Sequence, residues 1–541
     1  MNEIKQQAVG PPDAAMSRRS FMLRGAAVGA GTLALPGLLE ACGSGTTTNT
    51  DANKVSGAAA GRLTPRTGGT LRVAIPGMST SDTLDPAEAS TTSSAAICRQ
   101  LYDTLTSYDT HGLLVNQLAE EVTCEAPDRW VVRLRKAHWH DGKPVTADDL
   151  IYTFQRILKP PGLYNVGEIE FIDPNNIKKL DSRTVRMQFR RPAMYFPDTM
   201  TSFNQSIVPV GFDAKKPIGS GAFKLDSYTA GERATFVKFD DYWVPHQPYV
   251  DELSFINFPT GSAQVNGLVG GQVDVAPDLD ATLIPVVEQG GSKFNVFTYP
   301  SSATLTWPMD CAKKPFDDVR VRQALRLAVD RKQMISQVYA GYAQIGNDYF
   351  GPFDPEYDDA LPQREQDLER AKSLLKAAGQ EEIAVQLTGA PILPMANRQN
   401  EVLVEQVKSS GFEVDFRQVD EATFYGPQYG TYPLSLSLWG ALSILDQAAL
   451  TEAPTAPYNN TNFKDAEYEK LFEEAAAQRD DAKRKQIVHR MQEISYERGP
   501  YVVSQFHDYV TGYSDAVTGY RPYPNGEAGS DFRYREMGFK S

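Results

Sequence analysis

An open α/β fold is predicted by three features of the chain. First, helix gives way to strand repeatedly between 317 and 416. Asp317 or Asp318 can cap a helix whose Val321, Leu325 and Ala328 recur on one face, with Arg320, Arg322 and Arg326 largely off it. The stretch 367–378 sets Leu368, Ala371, Leu374 and Leu375 on one face and stops at Gly379. A shorter helix over 402–410 ends at Gly411, after which Phe412, Val414 and Phe416 alternate with charged residues as a strand. Second, the first half carries strand-like alternations at 71–75, 130–134 and 184–189, separated by turn signals. Third, the chain shows no repeat and no heptad period, so neither a solenoid nor a coiled coil competes. Helices alternating with strands cover an open sheet.

At 541 residues the chain has room for about three or four domain-sized units. Its 41% hydrophobic and 23% charged content is that of a globular protein. A net charge of -14 and a pI near 5.1 exclude a nucleic-acid or anionic-lipid surface, because both require a basic face. Six histidines and four cysteines, none in zinc-like pairs, leave little material for a metal centre, and neither a metal nor a cofactor is expected.

The amino-terminal region is not fold. Ser17-Arg18-Arg19-Ser20-Phe21-Met22 precedes a Gly/Ala-rich run over 25–39 that is too short to span a membrane stably. It ends in Leu39-Glu40-Ala41-Cys42. This order resembles a twin-arginine export signal closed by a lipoprotein cleavage box, with an unusual Glu40. It assigns Arg18 and Arg19 to export and Cys42 to lipidation, over residues 1–42. Residues 43–67 hold almost no large apolar side chain and read as a flexible tether.

The globular body begins with Leu71, Val73 and Ile75 alternating as a first strand, ended by Pro76 and Gly77. Thr80-Ser81-Asp82-Thr83-Leu84-Asp85-Pro86 follows, where Asp85 can cap the next helix. Trp130, Val132 and Leu134 alternate as another strand. His138 and His140 stand two apart on an extended segment and would point the same way, but no third ligand is near and Asp141-Gly142 is a turn signal. Thr146 caps a helix with Asp149 three residues on. Pro217-Ile218-Gly219-Ser220-Gly221-Ala222-Phe223 is neither a serine-hydrolase elbow, since Ile218 and Ala222 stand where glycines are needed, nor a phosphate loop, since it lacks the lysine. The stretch 468–493 is strongly helical and charged, two helices broken near Asp480-Asp481.

Several of these motifs carry a resemblance. Lys314-Pro315-Phe316-Asp317-Asp318-Val319-Arg320-Val321-Arg322-Gln323-Ala324-Leu325, followed by Ala328-Val329-Asp330-Arg331, closely resembles the helix that opens the second lobe in the peptide/nickel family of extracytoplasmic solute-binding proteins. These are receptors of ATP-binding-cassette importers. The Leu84-Asp85-Pro86 loop, the His140-Asp141-Gly142 turn, Gly219-Ser220-Gly221-Ala222-Phe223, Asp241-Tyr242-Trp243 and Gly270-Gly271-Gln272-Val273-Asp274 follow in family order. The resemblance implies two α/β lobes of the type II periplasmic-binding-protein fold, with an extra subdomain inserted in the first. It places 68–92, 216–305 and 511–541 in the first lobe, 93–215 in the inserted subdomain and 306–510 in the second lobe. It implies a monomer, anchored to the outer face of the cell membrane through Cys42, that closes on a small solute and delivers it to an ABC permease with its ATPase subunits.

The resemblance also implies where the solute sits. Family peptide binders keep a tryptophan near the hinge side of the second lobe and, close behind it, an aspartate that pairs with the peptide ammonium. Trp439 matches the tryptophan. Leu442 occupies the aspartate position, and Asp446 stands about a turn later as the acidic candidate in its place. The loop before Leu84-Asp85-Pro86 nominates Thr80 and Ser81. Aromatic supply nominates Tyr164, Tyr425 and Trp307, and Asn204 is a polar candidate. A buried ammonium without a partner costs several kcal/mol, so peptide, oligosaccharide and metal chelate all stay open as ligands. A secreted hydrolase is the contrasting reading, and the absent nucleophile and zinc motifs speak against it.

Overall fold

The Thr70–Pro76 strand forms where the alternation predicts it, with Leu71, Val73 and Ile75 buried. It is described in a computed structural model that covers residues 64–541 apart from Pro161, Tyr164 and Ala441; Arg18, Arg19, Cys42 and Tyr164 lie outside the described residues. The strand runs parallel to Glu252–Phe258 over its whole length and parallel to Val275–Ala276 at Val73. Arg233–Lys238 and Phe223–Thr229 extend the sheet antiparallel on one side, Tyr509–Ser514 and Phe294–Tyr299 on the other. This seven-stranded sheet is the centre of one lobe.

The second lobe is built on Ile383–Gly389, which pairs parallel with Phe412–Gln418 along seven residues and with Leu434–Ser435. Beside it, Thr304–Pro308 pairs antiparallel with Ser437–Trp439 and Tyr501–Val502. The Val319–Ala328, Leu368–Ala377 and Ala396–Val407 helices cover these strands. Asp318 caps the first of them by accepting from Arg320 N at 2.8 Å, and Val321, Leu325 and Ala328 are fully buried as the periodicity requires. A further antiparallel sheet, in the order Ala119–Ala126, Arg129–Leu134, Thr184–Phe189 and Ile172–Lys179, lies outside both. Among the described residues no helix is long and apolar enough to cross a membrane.

Two segments join the lobes, between Phe294–Tyr299 and Thr304–Pro308 and between Gln505–His507 and Tyr509–Ser514. They are bonded to each other: Ser301 donates its hydroxyl to His507 O at 2.6 Å, and His507 N donates to Ala303 O at 3.0 Å. Burial pulls the His507 imidazole down to about 4, so it is neutral at every physiological pH and packs stacked against Tyr339.

The family-like turn motifs have a common physical purpose. Asp103, buried after the Thr92–Leu101 helix, accepts four hydrogen bonds: from Gln117 Nε2 at 2.9 Å, Ser220 Oγ at 3.0 Å, Tyr242 OH at 3.1 Å and Trp243 Nε1 at 3.0 Å. Glycine is needed on both sides of Ser220 because the turn lies against the end of that helix. A Cβ on Gly219 would stand 1.7 Å from Leu101 O, and one on Gly221 would stand 2.4 Å from Gln100 O. His140 is drawn into the same knot, its two ring nitrogens facing Gly219 N at 3.2 Å and Gly221 O at 3.0 Å. Both nitrogens are therefore used by backbone, and His138 pairs instead with the exposed Asp241 at 2.6 Å. The Thr146–Asp149 capping box is present, and Asp149 also receives Trp139 Nε1.

Two helices depart from their sequence expectation. The Ala396–Val407 helix starts six residues before the expected 402, because its first turns bury polar side chains that apolar periodicity does not register. Gln399 donates to Leu305 O at 2.9 Å, and Asn400 Oδ1 accepts the indole N–H of Trp307 at 2.8 Å. On Val319–Ala328, Arg322 and Arg326 lie off the apolar face yet are buried. They cap the far end of Asp481–Arg498: Arg326 Nη1 donates to Ser495 O at 2.7 Å and Tyr496 O at 3.1 Å, and Arg322 Nη2 to Arg498 O at 2.8 Å. These carbonyls are the unsatisfied end of a helix, where the macrodipole favours a cation.

The three cysteines at 98, 124 and 311 are free thiols, Cys98 and Cys124 buried. Burial raises all three thiol pKa values, Cys311 to about 11, which keeps them protonated and unreactive. A thiol reagent is expected to label them only after denaturation, and a reducing agent to leave the melting temperature unchanged; rapid labelling of the native protein would contradict this packing.

Candidate functional site

A cleft opens where the two lobes and the outlying sheet meet, and the volume within it that the centre of a water molecule can reach is about 180 Å³. One wall carries Arg99, Tyr108, Thr199 and Thr201. The opposite wall carries Trp439, Gly440, Leu442 and Asp446, and Glu527 and Asp531 come from the carboxy-terminal segment.

Trp439 reaches this place because Ser437–Trp439 pairs with Thr304–Pro308, setting Trp439 opposite Thr304 at the mouth of a lobe crossing. Its ring packs against the buried cluster of Phe350, Tyr501, Val503 and Phe506, and its buried indole N–H has no hydrogen-bond partner among the described residues. Four residues after Leu442, Asp446 sits in the first turn of Ile444–Thr451, where Ser443 caps the helix by accepting Asp446 N at 3.3 Å. Asp446 is 3% exposed, and its Oδ1 accepts the Thr199 hydroxyl at 2.6 Å. Burial raises its pKa to about 8, with Asp198 and Glu168 pushing the same way and the Thr199 bond opposing. Glu168, bonded to Tyr458 OH at 3.1 Å and Gln205 Nε2 at 3.0 Å, is raised by burial to about 7. Arg99 is tied to its own wall, donating to Thr201 O at 2.7 Å and standing 3.8 Å from Asp531.

The apolar core explains how the cleft is enclosed. Residues between Leu118 and Ile207 share one continuous cluster with residues of the Ile444–Thr451, Ala466–Ala477 and Asp481–Arg498 helices. Met194 N donates to Ala476 O at 3.0 Å, and the Tyr195 and Phe472 rings lie 6.0 Å apart. Thr199 and Asp446 meet at this junction.

A model of bacterial extracellular solute-binding proteins, family 5 (middle region), matches residues 114–462. The chain belongs to this family. Among the relatives of this family 5 protein is a dipeptide-binding protein of Escherichia coli strain K12, 28% identical over 361 residues, which cover 58% of this chain and 67% of the relative. Two solved structures are similar. One is the DppA periplasmic binding protein of Helicobacter pylori in complex with the peptide STSA, at TM-score 0.77 and 21% identity, covering 88% of this chain and 99% of that one. The other is AgaA of A. tumefaciens R10 in complex with agropinic acid, at TM-score 0.76 and 23% identity, covering 87% and 99%. These likenesses show the fold, the two-lobed α/β architecture of periplasmic binding proteins. The family is extracytoplasmic, and its relatives here are binding proteins.

Of the candidates named from sequence, the structure brings Trp439 and Asp446 to the cleft. Thr80 and Ser81 are exposed on a turn, with Ser81 Oγ 2.9 Å from Ser79 Oγ. Asp85 caps the Pro86–Glu88 turn and pairs with Arg156. Trp307 is fully buried in the second lobe against Asn400, and Asn204 spends its amide on Pro86 O and Ala89 O at 2.7 and 2.8 Å. Tyr425 is 49% exposed in an aromatic group with Phe424 and Tyr429. Sequence reasoning did not nominate Arg99, Thr199, Glu527 or Asp531, which line the cleft. One signal was available for the last two: Asn525-Gly526-Glu527 follows the final lobe crossing, where the chain must return beside the hinge.

Proposed function

We propose that this chain is the solute-binding receptor of an ABC importer, capturing a peptide-like small molecule between its lobes and handing it to a membrane permease and its ATPase subunits. The observation that carries this reading is a single cleft whose walls come from both lobes, beside the crossings that join them. A solute touching both walls stabilises the closed form by whatever it gains from the second wall, and that form is the signal a permease can recognise. No covalent chemistry is asked of the site. The reading includes twin-arginine export through Arg18 and Arg19, lipidation of Cys42, anchoring on the outer membrane face as a monomer, and the lobe limits 68–92, 216–305 and 511–541 against 306–510, with 93–215 inserted. The strand membership of the seven-stranded sheet supports those limits to within two residues, and the four-stranded sheet falls inside 93–215. The dipeptide-binding relative supports a peptide-like ligand; Trp439 and Asp446 are its foremost proposed contacts, with Thr80, Ser81, Tyr164 and Tyr425 as further candidates, whereas Trp307 and Asn204 spend their polar groups in the core.

Leu442, apolar at the position where peptide binders of the family keep an aspartate, favours a second reading in which the same receptor takes an oligosaccharide, a metal chelate or another non-peptide solute. Native mass spectrometry of the freshly purified protein, with a thermal-shift screen of dipeptides, oligosaccharides and nickel chelates, tests both. A solute at a hundred times its dissociation constant adds about 2.7 kcal/mol of stability, a visible rise in melting temperature. A retained or stabilising solute is expected; an empty protein that responds to none of these classes would overturn the receptor reading.

A further inference from the structure

The charges lining the cleft are unequal. Among the described residues, four carboxylates, Glu168, Asp446, Glu527 and Asp531, face one guanidinium, Arg99. Two of the four are already engaged. Glu168 holds Tyr458 and Gln205, and Asp531 holds Arg533 at 2.9 Å and Arg99 at 3.8 Å. The other two have capacity left. Asp446, almost wholly buried, accepts one bond on Oδ1 and, among the described residues, none on its other oxygen. The Glu527 carboxylate accepts no hydrogen bond among the described residues, since only its backbone is bonded, to Asp531 and Tyr299. Glu527 also stands against the segment that lacks the family aspartate: a Cβ on Gly440, two residues before Leu442, would lie 3.9 Å from Glu527 Oε1. Beside both, the indole N–H of Trp439 is buried and unpartnered among the described residues.

We infer that the solute of this cleft is a net cation without a free carboxylate, its ammonium group held by Asp446 and Glu527, with Glu527 supplying from the opposite wall the charge that Leu442 has removed. This rests on the receptor reading and narrows it. A carboxylate-bearing solute finds in the described lining one guanidinium, Arg99, which donates through its two Nη atoms to the Thr104 hydroxyl and Thr201 O and whose charge faces Asp531, leaving only its Nε–H without a partner among the described residues. A second carboxylate would add like charge to a low-dielectric cavity, whereas an ammonium pairs charges that otherwise raise each other. The electrostatics agree in direction. Burial lifts Asp446 to about 8, facing Asp198 and Glu168, and lifts Glu527 to about 7, with Arg99 opposing and Asp531 and Asp278 adding to the rise. A bound cation favours the ionised forms, so the complex releases protons and tightens as pH rises from about 6 to about 8.

Isothermal titration of the full protein with alanyl-lysine amide, alanyl-alanine and alanyl-glutamate is the test. The doubly cationic amide is expected to bind at least about tenfold tighter than the zwitterion, and alanyl-glutamate weakest. Glu527→Gln and Asp446→Asn are each expected to weaken the amide by about tenfold or more and to flatten its pH dependence, while their melting temperatures report that both are folded. Equal affinity across the three probes, or unchanged binding in both variants, overturns the inference and leaves the receptor reading intact. So does an uncharged or anionic solute found bound by native mass spectrometry. An empty protein that binds none of the probes and nothing in the wider screen overturns both.

Discussion

Replacing Asp348 by alanine is expected to lower the unfolding free energy by about 3–5 kcal/mol at neutral pH, the range typical of stripping one partner from a buried charge group. Asp348 accepts both oxygens' worth of Arg331 Nη2, at 2.7 and 2.8 Å, Arg364 Nε at 2.6 Å and the backbone N–H of Val503 at 3.1 Å. Arg326 lies in the same buried group, its pKa drawn down by burial to about 9 with Arg364, Arg322 and Arg331 adding to the fall. Without the aspartate these guanidinium groups keep only carbonyl partners. The arginines hold the Asp348 carboxyl below the usual carboxylate range against the effect of burial. A depressed folded-state pKa means that the stabilisation is fully present above the unfolded value and is lost as pH falls through the folded one. Urea unfolding of wild type and Asp348→Ala across the acid range is the check: the gap is expected to be widest at neutral pH and to close in acid. A gap under about 1 kcal/mol at neutral pH would show that the arginines are satisfied by carbonyls alone.

Asp103→Ala is expected to destabilise by a similar amount, about 3–5 kcal/mol, and to weaken solute binding as well. It strands three buried donors, on Gln117, Ser220 and Tyr242, each worth about 1–3 kcal/mol when left dry, and the half-buried Trp243 indole, less whatever water recovers in the space created. Asp103→Asn separates shape from hydrogen bonding. Its amide oxygen can serve two of the donors, but its NH₂ then faces the other two, so it is expected to lose at least half as much as alanine. The binding effect follows from position: Asp103 closes the segment that starts with Arg99 and leads to Ser107 and Tyr108, all three at the cleft. A variant of full stability, read by urea midpoint, would mean that the knot merely decorates the turn.

Much of the fold was written in local pattern. The Val319–Ala328 helix, its Asp318 cap, the Leu368–Ala377 helix from Asp367 and the break between Ala477 and Asp481 all follow from apolar spacing plus a capping side chain, signals that lie within a few residues of each other. What escaped was long-range. Arg326 looks like a surface arginine until Asp481–Arg498 brings its carbonyl end across, and Gln399 and Asn400 look like loop until Leu305 and Trp307 receive them. The cleft shows the same division. Trp439 and Asp446 stand in one short stretch and were found together. Glu527 is 81 positions beyond Asp446 (527 minus 446) and meets the cleft only because the chain crosses back between the lobes. Trp307 misled for the converse reason: an indole N–H satisfied by Asn400 is core, and sequence does not show the partner.

The bonds between the two lobe crossings set the kind of motion available. Ser301 and Ala303 on one segment grip His507 on the other, so the pair behaves as a narrow two-stranded ribbon rather than as two separate tethers. A ribbon resists sliding along its length, because sliding breaks its rungs together, but it twists and flexes about its axis with little change in bond length. Such a ribbon favours rotation of one lobe against the other over sliding. On the receptor reading proposed above, occupancy of the cleft would be carried by that rotation and be readable from the outer faces of both lobes.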